Sequence, residues 1–180
     1  MADLLRAIGS MLTTKLGVAT FANETAHRGQ TYPYIEVEKT AGGEQAQGPG
    51  KIVRYDDDGN PTHFVKKLRG DTQIQLAIVA KGENDGSSRK KCAALAEQVR
   101  TLFETIIYGN ESVTFVDPVT ATDCGVSSVT IGEMGGARAD VRHDQLVHEA
   151  TLPLRFLHRR EVAVPVPRTL DKTTNRYPEA

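Results

Sequence analysis

The chain has 180 residues, of which 39% are apolar and 25% charged, enough for one ordinary domain with a real core. Its formal net charge is -1, so no global field draws it to nucleic acid or to an anionic membrane, and any such contact has to be local. No apolar run approaches the roughly 18 residues that span a bilayer, and the N-terminal apolar residues are spaced for a helix rather than clustered as in a signal peptide.

Taken in chain order, Asp3 to Leu16 is predicted as an amphipathic helix. Leu4, Leu5, Ile8, Leu12 and Leu16 lie on one stripe, and Gly17 supplies a natural stop. Val18 to Phe21 reads as a short strand or extended link, and Asn23 to Gln30 as a polar loop. Tyr32 to Glu38 is a strand with Pro33 at its start, where a missing donor is tolerated. Ala41 to Gly50 carries Gly42, Gly43, Gly48, Pro49 and Gly50 and reads as a mobile loop. Lys51 to Tyr55 and Thr62 to Leu68 flank Asp56-Asp57-Asp58-Gly59-Asn60-Pro61, which predicts a long hairpin with a polar tip.

The most regular stretch is Gly70 to Tyr108. Ile74, Leu76, Ile78 and Ala80 alternate with Gln73, Gln75, Ala77 and Val79, the two-residue period of a half-buried strand. A polar turn follows, with Asp85 and Ser87 as the best helix caps. Cys92, Leu95, Ala96, Val99, Leu102, Phe103 and Ile106 then recur at helical steps on one face, opposite Arg89, Lys90, Glu97, Arg100 and Glu104.

Gly109-Asn110 ends this helix. Val113 to Val116 and Ser128 to Met134 are predicted strands, and Gly135 to Asp144 a charged loop. Leu146 to His158 is the last long strand, with Leu146, His148, Ala150, Leu152, Leu154 and Phe156 on one face. Pro153, on the other parity, predicts an edge or a bulge at that point. Beyond Arg160 the Val162 to Pro167 run is Pro-interrupted, and Glu161 to Ala180 reads as an extended C-terminal arm. The fold class expected is therefore α+β: a mostly antiparallel sheet packed against two amphipathic helices, with residues 1–160 as one domain and 161–180 as the arm.

The motifs that could carry chemistry have bland readings. Three consecutive acids at Asp56, Asp57 and Asp58 lack the alternation and the distant Glu of a calcium loop. His27, His63, His143, His148 and His158 offer no converging metal set, because His148 and His158 are ten residues apart on one strand; they read as solvated or edge histidines. The glycine pairs lack a phosphate-loop lysine, and no Ser, Cys or Thr sits in a nucleophile elbow. No catalytic, cofactor or metal residue is assigned. Cys92 reads as a core residue in a reducing compartment; a Cys92–Cys124 disulfide stays open, though two lone cysteines argue weakly for one. The basic clusters Arg89-Lys90-Lys91, Lys66-Lys67 with Arg69, and His158-Arg159-Arg160 read first as solvated surface.

The order of a helix, the Tyr32-Pro33-Tyr34-Ile35-Glu36-Val37 strand, a hairpin, a strand ending in Val79-Ala80-Lys81, a polar turn and the Ala93 to Leu102 helix resembles the tail terminator and tail-completion proteins of tailed bacteriophages, the group of the lambda minor tail protein U. The likeness covers Met1 to Phe156 in element order. It implies a subunit of a ring, usually of six, that caps the tail tube, stops its polymerisation and meets the head-side connector or neck, with no catalytic residues. The partners it implies are other copies of the chain, the tail tube protein, a connector or neck protein, a sheath protein in contractile tails, and genomic DNA passing the lumen without sequence-specific binding. No membrane contact is implied, and the location implied is the virion, reached from the host cytoplasm during assembly. The long hairpin and the arm exceed the shared elements and leave room for a neck or baseplate part of the same fold. A soluble enzyme or small-molecule binder is the reading from a different class. Candidate interface residues are Asp56, Asp57 and Asp58 at the hairpin tip, expected to meet a basic patch on a neighbour, with Arg89, Lys90, Arg159, Arg160, Val164 and Pro165.

Overall fold

The computed structural model describes residues 3–22, 30–46, 52–109 and 114–166. The chain is α+β, with a mostly antiparallel sheet and two helices. It divides into two compact units, Met1–Gln45 with Arg69–Arg160, and Ala46–Leu68 with Glu161–Ala180.

The first unit opens with α1 (Leu4–Leu16). Asp3 caps it, accepting from the Leu5 and Arg6 amides at 3.0 and 3.4 Å, and Gly17 closes it in the left-handed region at φ 65°. β1 (Ala19–Ala22) then runs parallel to β2 (Tyr34–Ala46). β2 is longer than expected, because Ala41 to Ala46 continue the strand instead of looping; residues 47–50 and the start of the expected hairpin at Lys51 lie outside the described residues. Gly42 permits this. Its φ is 122°, and a Cβ there would lie 2.2 Å from the Asp71 carbonyl oxygen of the facing strand.

β4 (Pro61–Ala80) delivers Ile74, Leu76, Ile78 and Ala80 to the core, as the alternation predicts. It corrects one boundary: the hairpin strand and the core strand are a single strand with no break at Leu68 or Gly70. α2 (Asp85–Tyr108) follows, but its cap is Asn84, not Asp85 or Ser87. The extended Asn84 accepts from the Ser87 amide at 2.9 Å, while Ser87 Oγ accepts from the Asn84 amide at 3.2 Å, a reciprocal capping box. Two buried side chains fasten α2 back onto β4: Ser88 Oγ donates to the Ala80 carbonyl at 3.0 Å, and Cys92 Sγ to that of Ile78 at 3.3 Å.

The short pair β5 (Val116–Asp117) and β6 (Thr122–Asp123) replaces the expected Val113 to Val116 strand, whose first residue lies outside the described residues. β7 (Val126–Ile131), β8 (Arg138–Arg142) and β9 (Gln145–Pro165) complete the sheet. The Gly135 to Asp144 loop is therefore partly wrong, since Arg138 to Arg142 form β8, paired antiparallel with Gln145 to Glu149 through a tight turn in which His143 and Asp144 have φ 50° and 63°. The order across the sheet is β1-β2-β4-β9-β7, with β8 also on β9.

β9 is thus an interior strand. Pro153 is accommodated because its edge faces the gap between β7 and β8, where the Gly132 amide donates to its carbonyl at 2.8 Å and the Gly135 amide to that of Thr151 at 2.8 Å. The same position in the sheet corrects the solvated or edge reading of His148 and His158, which are 3% and 8% exposed. His158 fills the space that Gly70 leaves: a Cβ at position 70 would lie 1.9 Å from its Nε2. β9 also continues through Pro165, so the first residues of the expected arm are strand; residues 167–180 lie outside the described residues.

Both helices cover one face of this sheet. Phe156 is fully buried at the centre, with Phe103 of α2 and Phe115 edge-on at centroid distances of 6.4 and 5.4 Å. The N-terminus of α1 is held by Asp117, a buried carboxylate that accepts from Arg6 Nε and Nη2 at 3.2 and 2.8 Å, from the Asp3 and Val119 amides and from Thr120 Oγ1, each of the last three at 3.0 Å.

In the second unit, β3 (Ile52–Tyr55) pairs antiparallel with the start of β4, Ile52 opposite Val65 and Tyr55 opposite Pro61. The Val166 amide donates to the Thr62 carbonyl at 3.0 Å, and Arg54 pairs with Glu161 at 2.7 Å.

Truncating Phe156 to Ala is expected to destabilise the first unit by about 3–5 kcal/mol, read by urea unfolding, because two rings lose their common partner. A second expectation concerns acid. The hydrogen bonds from Arg6, with those from backbone amides, hold the Asp117 carboxyl well below the usual carboxylate range despite burial. A depressed carboxyl stabilises the fold above its unfolded value near 3.9 and loses that contribution as pH falls through the folded value. Asp117→Asn should therefore be less stable than wild type at pH 7 and show a shallower loss below about pH 4; equal acid limbs in urea titrations of the two proteins would refute this.

Candidate assembly surface

On the face of the sheet away from the helices, Arg142 of β8 gathers three carboxylates. Its Nε donates to Asp140 at 2.7 Å, Nη2 to Glu149, and Nη1 lies 3.5 Å from Glu36. Burial works against the Arg142 cation, but the hydrogen bond and field of Glu149, with the field of Glu36, outweigh it and hold the group charged. Beside this cluster Tyr34 stacks edge-on with Phe21 at 5.7 Å and against Tyr32 at 5.3 Å. Burial, then the nearby Glu36, pushes its phenol up to about 12. A cleft of about 420 Å³ opens between Arg138, Asp140, Arg142, Glu149, Thr151 and the Gly135-Gly136 turn.

These side chains are engaged in holding the fold. Asp117 anchors α1, and Arg142 neutralises the outer carboxylates. Cys92 and Cys124 are free thiols, buried and each pushed up to about 11 chiefly by that burial, which disfavours the reactive thiolate. The Nε2 of His148 lies 3.5 Å from Asp85 on the first turn of α2. Sequence reasoning missed Asp117, which lies just past the expected Val113 to Val116 strand, and Arg142, read as loop; the period-two pattern in Arg138, Asp140 and Arg142 was the available signal.

The candidate interface residues fall into separate groups. Asp56, Asp57 and Asp58 are exposed at the β3–β4 turn of the second unit, but they differ in role. Asp56 is committed to the turn: its Oδ1 accepts from the Asn60 and Asp58 amides at 2.7 and 3.1 Å. Asp57 and Asp58 are exposed on the same turn. Val164 and Pro165 are exposed at the end of β9 in the same unit. Arg89 and Lys90 are exposed on the early turns of α2 in the first unit. Arg159 is exposed on β9, its amide donating to the Gly125 carbonyl at 2.8 Å; the Arg160 side chain lies outside the described ones.

Large apolar side chains left exposed mark further surface. In the first unit these include Val141 and Leu146, directly paired across the β8–β9 turn at 67% and 56% exposure, and Tyr108 at 82%. A groove of about 590 Å³ runs between the last turns of α2 and β7, floored by Ile107, Val129, Ile131 and Met134 and rimmed by the Arg100–Glu104 ion pair. In the second unit Ile52 and Tyr55 are exposed beside the acidic turn. Neither a protein-family model nor a characterised protein matches this sequence.

The division of labour at the acidic turn is testable by amide exchange. Asp56→Ala should speed exchange of the Asn60 amide about tenfold, the weight of one hydrogen bond, whereas Asp57→Ser and Asp58→Ser should leave it unchanged.

Proposed function

We propose that this protein is a structural part of a tailed-phage virion that assembles as a ring on the end of the tail tube, stops tube growth and joins the tail to the head-side neck. The observation that carries this reading is how the side chains are allotted. Asp117, Arg142, Cys92, Cys124 and His148 are drawn into internal pairs or buried, while aliphatic and aromatic side chains stand exposed among the surface charges at Val141, Leu146, Tyr108, Ile52 and Tyr55. That allotment suits a subunit whose remaining free energy comes from association. The order of elements that resembles the tail terminators supports the same reading, as do the exposed Asp57 and Asp58, suited to a basic patch on a neighbour. In this reading the partners are further copies of the chain, the tail tube protein on one side and a connector or neck protein on the other, with sheath protein in a contractile tail and DNA passing through the lumen.

Light scattering of the purified protein, alone and with isolated tail tubes, tests the proposal. A stable ring near six subunits, or a monomer that becomes a ring only on tubes, is the expected outcome. A monomer that ignores tubes would overturn it and favour a neck or baseplate part.

A further inference from the structure

The sheet of the first unit ends on two strands that nothing else pairs among the described residues, β1 at one side and β7 at the other. An unpaired edge presents main-chain donors and acceptors, and proteins usually guard such an edge with Lys, Pro or inward charge. Neither edge carries those side-chain guards, though β1 has only four residues and β7 has a register shift between Val126 and Ser128. β1 reads Ala-Thr-Phe-Ala and β7 reads Val-Ser-Ser-Val-Thr-Ile, without a charge or a proline. The neighbouring β8, by contrast, carries Arg138, Asp140 and Arg142.

The polarity of the two edges also matches. β1 is parallel to β2, and β7 is antiparallel to β9. Tyr34 packs with Val79 and Gly42 lies against Asp71, so β2 and β4 run oppositely; Gly70 meets His158 and Asp71 meets Arg155, so β4 and β9 do as well. β7 therefore runs opposite to β1. A second copy that continued the sheet would set its β1 antiparallel to β7, the more stable arrangement.

The outward groups on β7 can be named. The Gly132 amide bonds to β9, so by the two-residue alternation Thr130 also faces β9, and the amides and carbonyls of Val129 and Ile131 point away. Their side chains floor the groove under α2, which a single copy leaves open.

We propose that β7 of one copy pairs antiparallel with β1 of a second copy, joining two sheets through the outward backbone of Val129 and Ile131. The contact is heterologous, and such a contact closes into a ring when the rotation per subunit permits. The inference rests on the ring reading above and specifies its interface.

Two measurements test it. Ile131→Lys places a charge on the half-buried edge and should lower the apparent association constant by at least about tenfold, the weight of one or two main-chain hydrogen bonds, while Ile131→Thr retains assembly. Independently of how Ile131→Lys folds, variants with one added cysteine beside the buried Cys92 and Cys124, Ser128→Cys or Thr130→Cys, are mixed with Ala19→Cys or Phe21→Cys under mild oxidation. Disulfide-linked dimers that form only in the mixtures support the proposal. Dimers from the β7 variants alone would show β7–β7 pairing and overturn it. A ring formed by the wild type and by Ile131→Lys alike, with no cross-link in the cysteine mixtures, would overturn this interface and leave the ring reading standing. A wild-type monomer with and without tubes would remove both.

Discussion

The first unit depends on the two-residue alternation of β4 and β9, lying side by side. Ile74, Leu76 and Ile78 from one strand and Leu152, Leu154 and Phe156 from the other turn to the same face and are almost fully buried. A one-residue slip of either strand would carry its apolar set to the opposite face, so the register is fixed by burial itself. The helices follow from that face. α2 returns along β4 and is pinned by Ser88 and Cys92 to the carbonyls of Ala80 and Ile78, while α1 covers the β1–β2 side and is tied at its start to Asp117.

The electrostatic groups obey a different constraint. A buried charge is tolerated when partners replace its lost water, and Asp117 and Arg142 show two solutions. Asp117 is surrounded by donors from the Arg6 guanidinium, the backbone and Thr120. Arg142 sits among carboxylates contributed by β2, β8 and β9, so it fastens three strands on the outer face. Both consume charges that would otherwise colour the surface. Aliphatic and aromatic side chains are left outward among the remaining surface charges, and this is the ground for reading the molecule as a part that works by association.

Much of the fold was legible in the sequence. α1 and its Gly17 stop, the core alternation in β4, the buried stripe of α2 and the inward face of β9 all come from local periodicity, which survives folding unchanged. The misreadings share a cause. β2 was stopped at its glycines, β8 was dissolved into a loop, and β9 was ended at His158, short of Pro165, because each relies on a neighbouring strand to supply what its own residues lack. Gly42 is useful only because Asp71 approaches it; Pro153 is harmless only because its edge meets a gap. The candidate interface was legible as exposed charge, but the separation of Asp56 from Asp57 and Asp58 was not, since it rests on which carboxylate folds back onto the Asn60 amide.

The sequence by itself determined the α+β class, the two helices and the faces they bury, because hydrophobic period and capping chemistry act over a few residues. Only the tertiary structure decided strand order, and with it the burial of His148 and His158, the partners of Asp117 and Arg142, and which strands end the sheet. Those features join residues up to 114 positions apart, as Asp3 and Asp117 do, and no local pattern encodes which distant strand will lie beside which.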